Sequence, residues 1–296
     1  MDKPIGSIIY TQMCNEAGGI EADVTFFRLA KDRFYMVTGS GFGVRDSDWI
    51  KRHLPDDDSV YVIEVTSAFA VLNIVGPRSR DVLEVSESDV SNNAIPFSNW
   101  REIIIGAATV RAARIGYVGE LGYELHIPTE FAVHVYQTLW EAGRIHGIAN
   151  VGYRAVESLR MEKGYIYWSS DVSPDYTPIE AGLGFRVHLN SKEHFIGRNV
   201  IEAHKSGDLE RMLCTFVYPE YLPLSGGETI LRDDVVVSLA TSASFGHTVG
   251  QTIIRGYLNK EHWDVQDFML EVFGVQYAIT RVESPLYDPE DKALKS

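Results

Sequence analysis

The chain has 296 residues, 45% hydrophobic and 23% charged, with a formal net charge of −14. That length supports two domains with sizeable cores, and the acidic balance leaves no basic stripe to displace counterions from a nucleic acid. Cys14 and Cys214, the two cysteines, make neither a disulfide framework nor a zinc pattern and point to a reducing compartment, while the absence of an apolar run of ~20 residues or a signal-peptide core points to a soluble chain.

Residues 8–13 and 24–29 read as strands flanking Asn15-Glu16-Ala17-Gly18-Gly19, a loop of hairpin type. Behind the glycines, Asp23 stands at the mouth of a turn that feeds the second strand. A carboxylate there either faces a pocket and accepts a proton or hydrogen bond from a bound amine, or simply ends a turn. Residues 33–38 form a third strand ending at Gly39-Ser40-Gly41-Phe42-Gly43. The dinucleotide fingerprint fails there, because its third glycine would be Val44. A short helix over 46–53 leads to an acidic turn at 54–58, which reads as solvated surface rather than a metal site.

Strands are predicted over 60–65 and 70–75, then a helix over 78–83 and a hairpin of 103–105 with 109–115. The hairpin leads into Gly116-Tyr117-Val118-Gly119-Glu120-Leu121-Gly122-Tyr123-Glu124, where four glycines and one strand are expected to bring Tyr117 and Glu124 close together. An aromatic face beside a carboxylate suits a flat heterocycle with ring N–H donors; the alternative is a surface hairpin with an incidental acid.

Thr129 is expected to cap a helix running to about residue 146, with Phe131, Val135, Leu139 and Ala142 on one face. A second helix spans 153–164, and its Glu157, Arg160 and Lys163 read as helix salt bridges. A long polar connection from Trp168 to Arg186 precedes a helix carried to about 205, and Ser206-Gly207-Asp208 marks the boundary between domains 1–207 and 208–296. Beyond it, strands over 213–217, 229–231, 235–242, 252–257, 268–273 and 275–281 suggest a small β-barrel or sandwich. The fold class is α+β: mixed sheets with helices followed by a small C-terminal β-barrel.

Asn15-Glu16-Ala17-Gly18-Gly19-Ile20-x-x-Asp23, Gly76-Pro77, Gly116-Tyr117-x-Gly119-Glu120-x-Gly122-x-Glu124, Ser158-Leu159-Arg160-x-Glu162-Lys163-Gly164, Asp171 with Thr177-Pro178-x-Glu180, and Phe195-Ile196-Gly197-Arg198 occur in this order. Together they resemble the glycine cleavage T-protein (aminomethyltransferase) family over nearly the whole chain. Tyr10-Thr11-Gln12-Met13, Trp49-Ile50-Lys51 and Pro285-Leu286-Tyr287-Asp288-Pro289 resemble the folate-binding C-terminal half of dimethylglycine and sarcosine dehydrogenases and the related pyruvate dehydrogenase phosphatase regulatory subunit. The resemblance implies tetrahydrofolate as cofactor and one-carbon transfer from a methylamine-derived iminium or aminomethyl donor, giving 5,10-methylenetetrahydrofolate. It places Asp23 at the essential aspartate, Glu124 on the pterin and Tyr117 at its border, with Thr25, Gly39, Arg160 and Phe185 among the cofactor-site positions.

Three positions depart from the family pattern. Gly39 stands for an asparagine, Phe185 for a tryptophan, and Val156 for an arginine that Arg154 or Arg160 would replace. The family's opening segment is expected before Pro4, so an N-terminally truncated domain is implied. FAD is expected only through a separate domain or a flavoprotein dehydrogenase partner. The location implied is cytoplasmic, or the mitochondrial matrix in a eukaryote. A non-catalytic regulatory or scaffold subunit of the same fold remains the alternative; nucleic-acid, membrane and metal partners are not expected.

Overall fold

The computed structural model describes residues 3–296. The chain divides into two compact units, Met1–Tyr10, Val24–Val151 and Glu290–Ser296 forming the first, Thr11–Asp23 and Gly152–Pro289 the second. Strands β1 (Ile8–Cys14) and β2 (Ile20–Arg28) each run from one unit into the other, and with β3 (Phe34–Val37) they make a three-stranded sheet with β2 in the middle.

The first unit continues with helix α1 (Gly43–Arg52), strand β4 (Phe69–Val75), helix α2 (Ser79–Leu83), strands β5 (Trp100–Ile105), β6 (Ala108–Ala113) and β7 (Gly122–Pro128), and helix α3 (Ala132–Gly143). The strands pair antiparallel in the order β4-β7-β6-β5. Side chains alternate across a sheet, and one face here is apolar except for exposed Arg101 at its end. Ile103, Ile105, Val110, Tyr123, Leu125 and Ile127 bury there against Val82, Leu83, Val135 and Leu139 of the helices. Each such side chain stabilises the fold by about 1.5–3 kcal/mol when fully buried. Phe131 and Ala142 complete the predicted α3 face as partly buried neighbours. Thr129, however, does not cap the helix: its hydroxyl donates to the Ser67 carbonyl instead.

The predicted strand over 60–65 is not formed. Val60, Tyr61, Val62, Ile63 and Val65 are exposed, and among the described residues this run joins no ladder. Its β-branched and aromatic residues favour a strand, but that preference has effect only when a neighbouring strand supplies the hydrogen bonds.

The second unit carries helices α4 (Tyr153–Glu162) and α5 (Arg198–Ala203), followed by strands β8 (Arg211–Tyr218), β9 (Thr229–Arg232), β10 (Val235–Gly246), β11 (Gln251–Asn259), β12 (Asp267–Val272) and β13 (Val275–Val282). The strands close into an antiparallel barrel, β10-β11-β8-β13-β12-β9, an arrangement that leaves no exposed edge. Phe216, Ile230, Ile254, Leu258, Phe268, Leu270 and Ile279 fill it. Gly256 is required by the packing, since a Cβ would come within 2.9 Å of the Leu239 carbonyl and of Ile230.

Candidate functional site

The turn after β1 is built from its own sequence. The Asn15 side chain accepts from Gly19 N–H at 2.9 Å and donates to Glu21 at 3.0 Å. Gly19 lies so close to the 174 loop that a Cβ would sit 1.7 Å from the Pro174 carbonyl, and a Cβ on Gly197, at the head of α5, would sit 2.5 Å from the Asn15 carbonyl. The asparagine-glycine motif, the Pro174 loop and the Phe195-Ile196-Gly197-Arg198 turn thus interlock in the second unit through backbone contacts that admit no side chain.

Asp23 does not stand at the mouth of a turn, as expected from the sequence. Strand β2 begins at Ile20, three residues earlier, because the Gly18–Gly19 turn is complete there and Ile20 already bonds to Tyr176. Ile20, Ala22 and Val24 are buried on one face of β2, which turns Glu21, Asp23 and Thr25 to the other, all half-buried. Thr25 pairs with Val37 in the register of β3.

In the first unit, β7 alternates between the apolar core and a polar face. Tyr123, Leu125 and Ile127 enter the core; Glu124 and His126 point the other way. Across the sheet Glu124 is opposite Asn73 and Ala113, and His126 opposite Val71 and Arg111, so these side chains share a face. Glu124 is 24% exposed and His126 fully buried, with Nε2 3.7 Å from a Glu124 oxygen. The Tyr35 hydroxyl is 3.2 Å from His126 Nδ1. Phe27 and Tyr35 meet the imidazole edge-on at 5.0 and 5.4 Å. Arg111 lies over the rings of Phe69 and Tyr35 at 4.7 and 5.1 Å. Burial, the largest influence, and the charge of Glu124 raise the Tyr35 pKa, while Arg111 opposes them; the phenol stays protonated and able to donate.

Tyr117 is half-buried in the loop before β7. Gly39 is exposed, and a Cβ there would approach the Phe42 ring to 2.9 Å, so an asparagine at this position would displace that ring. An open groove of about 400 Å³, lined by Leu29, Arg33, Trp100, Arg101, Glu102 and Arg111 among others, reaches Arg111 but none of the predicted site residues.

In the second unit, Arg160 is almost fully buried. Its guanidinium donates to Asp171 at 2.6 Å, Ser242 at 2.8 Å, the Tyr165 carbonyl at 3.0 Å, and to Glu157. The predicted helix pair with Glu157 is present, and the same guanidinium also pairs with fully buried Asp171, eleven residues on. Burial would raise the Asp171 pKa, yet the charges of Arg255 and Arg160 and the hydroxyls of Thr241 and Ser242 outweigh it and hold the carboxyl below its ordinary range. Lys163 pairs with Asp288 at 3.2 Å, and buried Glu162 accepts from Thr248 N–H at 2.6 Å. Phe185 is 70% exposed in a short turn, with Arg186 over its ring.

The first unit therefore holds Thr25, Gly39, Tyr117 and Glu124, and the second Asp23, Arg160 and Phe185. Sequence reasoning overlooked Tyr35, His126 and Arg111. The period-2 spacing of Glu124 and His126 in β7 signals one shared face, whereas Tyr35 and Arg111 reach it only through strand pairing.

Residues 1–191 match the GCVT N-terminal domain and residues 211–288 the glycine cleavage T-protein C-terminal barrel domain. The chain is 37% identical over 319 residues to sarcosine dehydrogenase, mitochondrial, of Homo sapiens, an alignment covering 100% of this chain and 35% of that protein. It is 33% identical over 266 residues to pyruvate dehydrogenase phosphatase regulatory subunit, mitochondrial, of Mus musculus, covering 88% of this chain and 30% of that one. The chain thus spans about a third of the length of these relatives. The crystal structure of glycine cleavage system aminomethyltransferase T from Bartonella henselae superposes with a TM-score of 0.84 at 26% identity, over 96% of this chain and 77% of that one. With the motifs in order, the mixed sheets and the closed C-terminal barrel all in agreement, the chain belongs to the glycine cleavage T-protein family.

Proposed function

We propose that this chain binds tetrahydrofolate and serves one-carbon transfer from a sarcosine- or dimethylglycine-type donor. The observation that carries the proposal is Glu124, a half-buried carboxylate on the polar face of β7 beside a fully buried histidine. A carboxylate so placed can accept two hydrogen bonds from adjacent N–H groups of a pterin edge, and a half-buried aromatic such as Tyr117 can cover the ring face. When bound, tetrahydrofolate would supply the amine nitrogens that take up the one-carbon unit, yielding 5,10-methylenetetrahydrofolate. Asp23 is assigned the electrostatic part: a half-buried carboxylate on β2 that hydrogen-bonds an amine and offsets cationic charge on the donor carbon. We assign Arg160 to holding the 165–171 segment, since its donors already engage Glu157, Asp171, Ser242 and Tyr165.

Calorimetric titration with tetrahydrofolate tests the assignment. Glu124→Ala is expected to bind at least about tenfold more weakly than the unaltered chain, the loss of a charge-assisted hydrogen bond being about 1.5–3 kcal/mol; equal affinity would remove Glu124 from the site. Asp23→Asn is expected to lower methylene transfer far more than folate binding, and a proportional loss of both would make Asp23 structural. Flavin chemistry is assigned to a separate domain or a flavoprotein partner.

A second proposal, a regulatory subunit without turnover, is supported by the 33% identity to the phosphatase regulatory subunit and by exposed Phe185 at a position where the family has tryptophan. It requires folate binding without methylene transfer under any donor tested.

A further inference from the structure

His126 is a polar group in an expensive place. It has no solvent exposure, and among the described residues its Nε2 has no hydrogen-bond partner. A buried donor left unsatisfied costs about 1–3 kcal/mol, and a leucine or phenylalanine of similar volume would avoid that cost. What surrounds the ring explains why an imidazole is there. Phe27 and the Tyr35 ring close its apolar sides, the Tyr35 hydroxyl meets Nδ1, and Nε2 faces Glu124 at 3.7 Å. Arg111, opposite in the register, is drawn away over Phe69 and Tyr35, and Glu102 stands 3.9 Å from its guanidinium.

We propose that Tyr35 and His126 form a positioning pair for Glu124. The Tyr35 hydroxyl donates to Nδ1, which places the hydrogen of the neutral ring on Nε2 and aims it at the nearer Glu124 oxygen. The opposite tautomer would set an imidazole lone pair against a carboxylate. At 3.7 Å the contact is longer than a hydrogen bond, so it closes when Glu124 shifts by roughly an ångström toward the ring. In that position one oxygen is held from behind, and the carboxylate plane is set for a ligand edge carrying two adjacent N–H donors. His126 itself does not touch the ligand. This deepens the folate proposal and rests on it for the ligand, but the tautomer and the contact belong to the ligand-free protein.

Two measurements on the full chain separate the ideas. Nitrogen-15 shifts of the His126 ring, recorded at a pH where it is neutral, are expected to report an Nε2–H tautomer that becomes mixed in Tyr35→Phe. A dominant Nδ1–H tautomer, or no response to Tyr35→Phe, would overturn the positioning pair whether or not folate binds. In calorimetry with tetrahydrofolate, His126→Gln, whose amide N–H reaches the Nε2 position, is expected to keep affinity within about threefold, whereas His126→Asn, which mimics Nδ1, loses about tenfold. Equal losses in the two variants, with both folded by circular dichroism, would reduce His126 to a packing residue. If the unaltered chain binds no tetrahydrofolate, the folate proposal fails and the ring shifts alone decide the pair.

Discussion

Buried charge in this protein is spent mainly on holding loops in place. Asp171 is fully buried and is met by Arg160, Arg255, Thr241 and Tyr167 N–H. Removing one member of such a group leaves uncompensated charge, so Asp171→Asn is expected to lose about 3–5 kcal/mol in urea denaturation. Its folded pKa lies below the unfolded one, so this contribution is complete above the unfolded value, near 4, and disappears as pH falls through the lower folded value. The stability gap between the parent and Asp171→Asn should therefore narrow only below about pH 4. The thiols behave in the opposite sense. Burial, with Glu21 adding to it, pushes Cys14 up to about 12, and burial pushes Cys214 up to about 11. Native protein at pH 8 is expected to react with a thiol reagent at least tenfold more slowly than unfolded protein, in which both thiols return to ordinary values.

The strands sit in ladders, whereas the run over 60–65 joins none among the described residues. The C-terminal strands close on themselves, and β4 to β7 form a sheet with one face packed on α2 and α3. The run over 60–65 is exposed on both of its sides, with Tyr61 at 78% and Ile63 at 80% exposure. An exposed run of β-branched and aromatic residues of this kind invites pairing with another strand. Ile63→Lys combined with Tyr61→Lys is expected to raise the concentration at which the protein stays monomeric in light scattering. Folding stability should change by no more than about 0.5 kcal/mol, because neither side chain is packed. The opposite holds for Gly19→Ala, where the added methyl meets the Pro174 carbonyl; a loss of about 1–3 kcal/mol is expected in the same denaturation experiment.

For the molecule as a whole, a ligand that binds only the folded chain raises its melting temperature by mass action. If tetrahydrofolate binds as proposed, a concentration a hundred times its dissociation constant is expected to add about 2.7 kcal/mol, or about 4 °C for a chain of this length. Glu124→Ala, binding at least about tenfold more weakly, should show about half of that shift or less at the same concentration, which scanning calorimetry can read without any turnover. The net charge of −14 acts at the same scale: an anionic ligand such as the proposed folate would have to be held by local, placed donors, since the overall charge does not draw anions in.

Periodicity determined the α+β class and the barrel of short strands, and the resemblance of ordered motifs the family, because those depend on patterns local to a few residues and on their succession. Glu124 and Asp23 were legible as candidates for the same reason, each lying in a motif beside glycines. Pairing decided the rest. The run over 60–65 has strand chemistry but no neighbour, Asp23 lies inside β2 because the turn before it closes early, and Arg160 is claimed by Asp171 from a loop. Tyr35, His126 and Glu124 meet only because β7 turns its polar side toward a tyrosine ninety-one residues from the histidine. Side-chain chemistry is written along the chain, but which groups share a face, and which are left without a partner, depends on strand register and on contacts between distant segments.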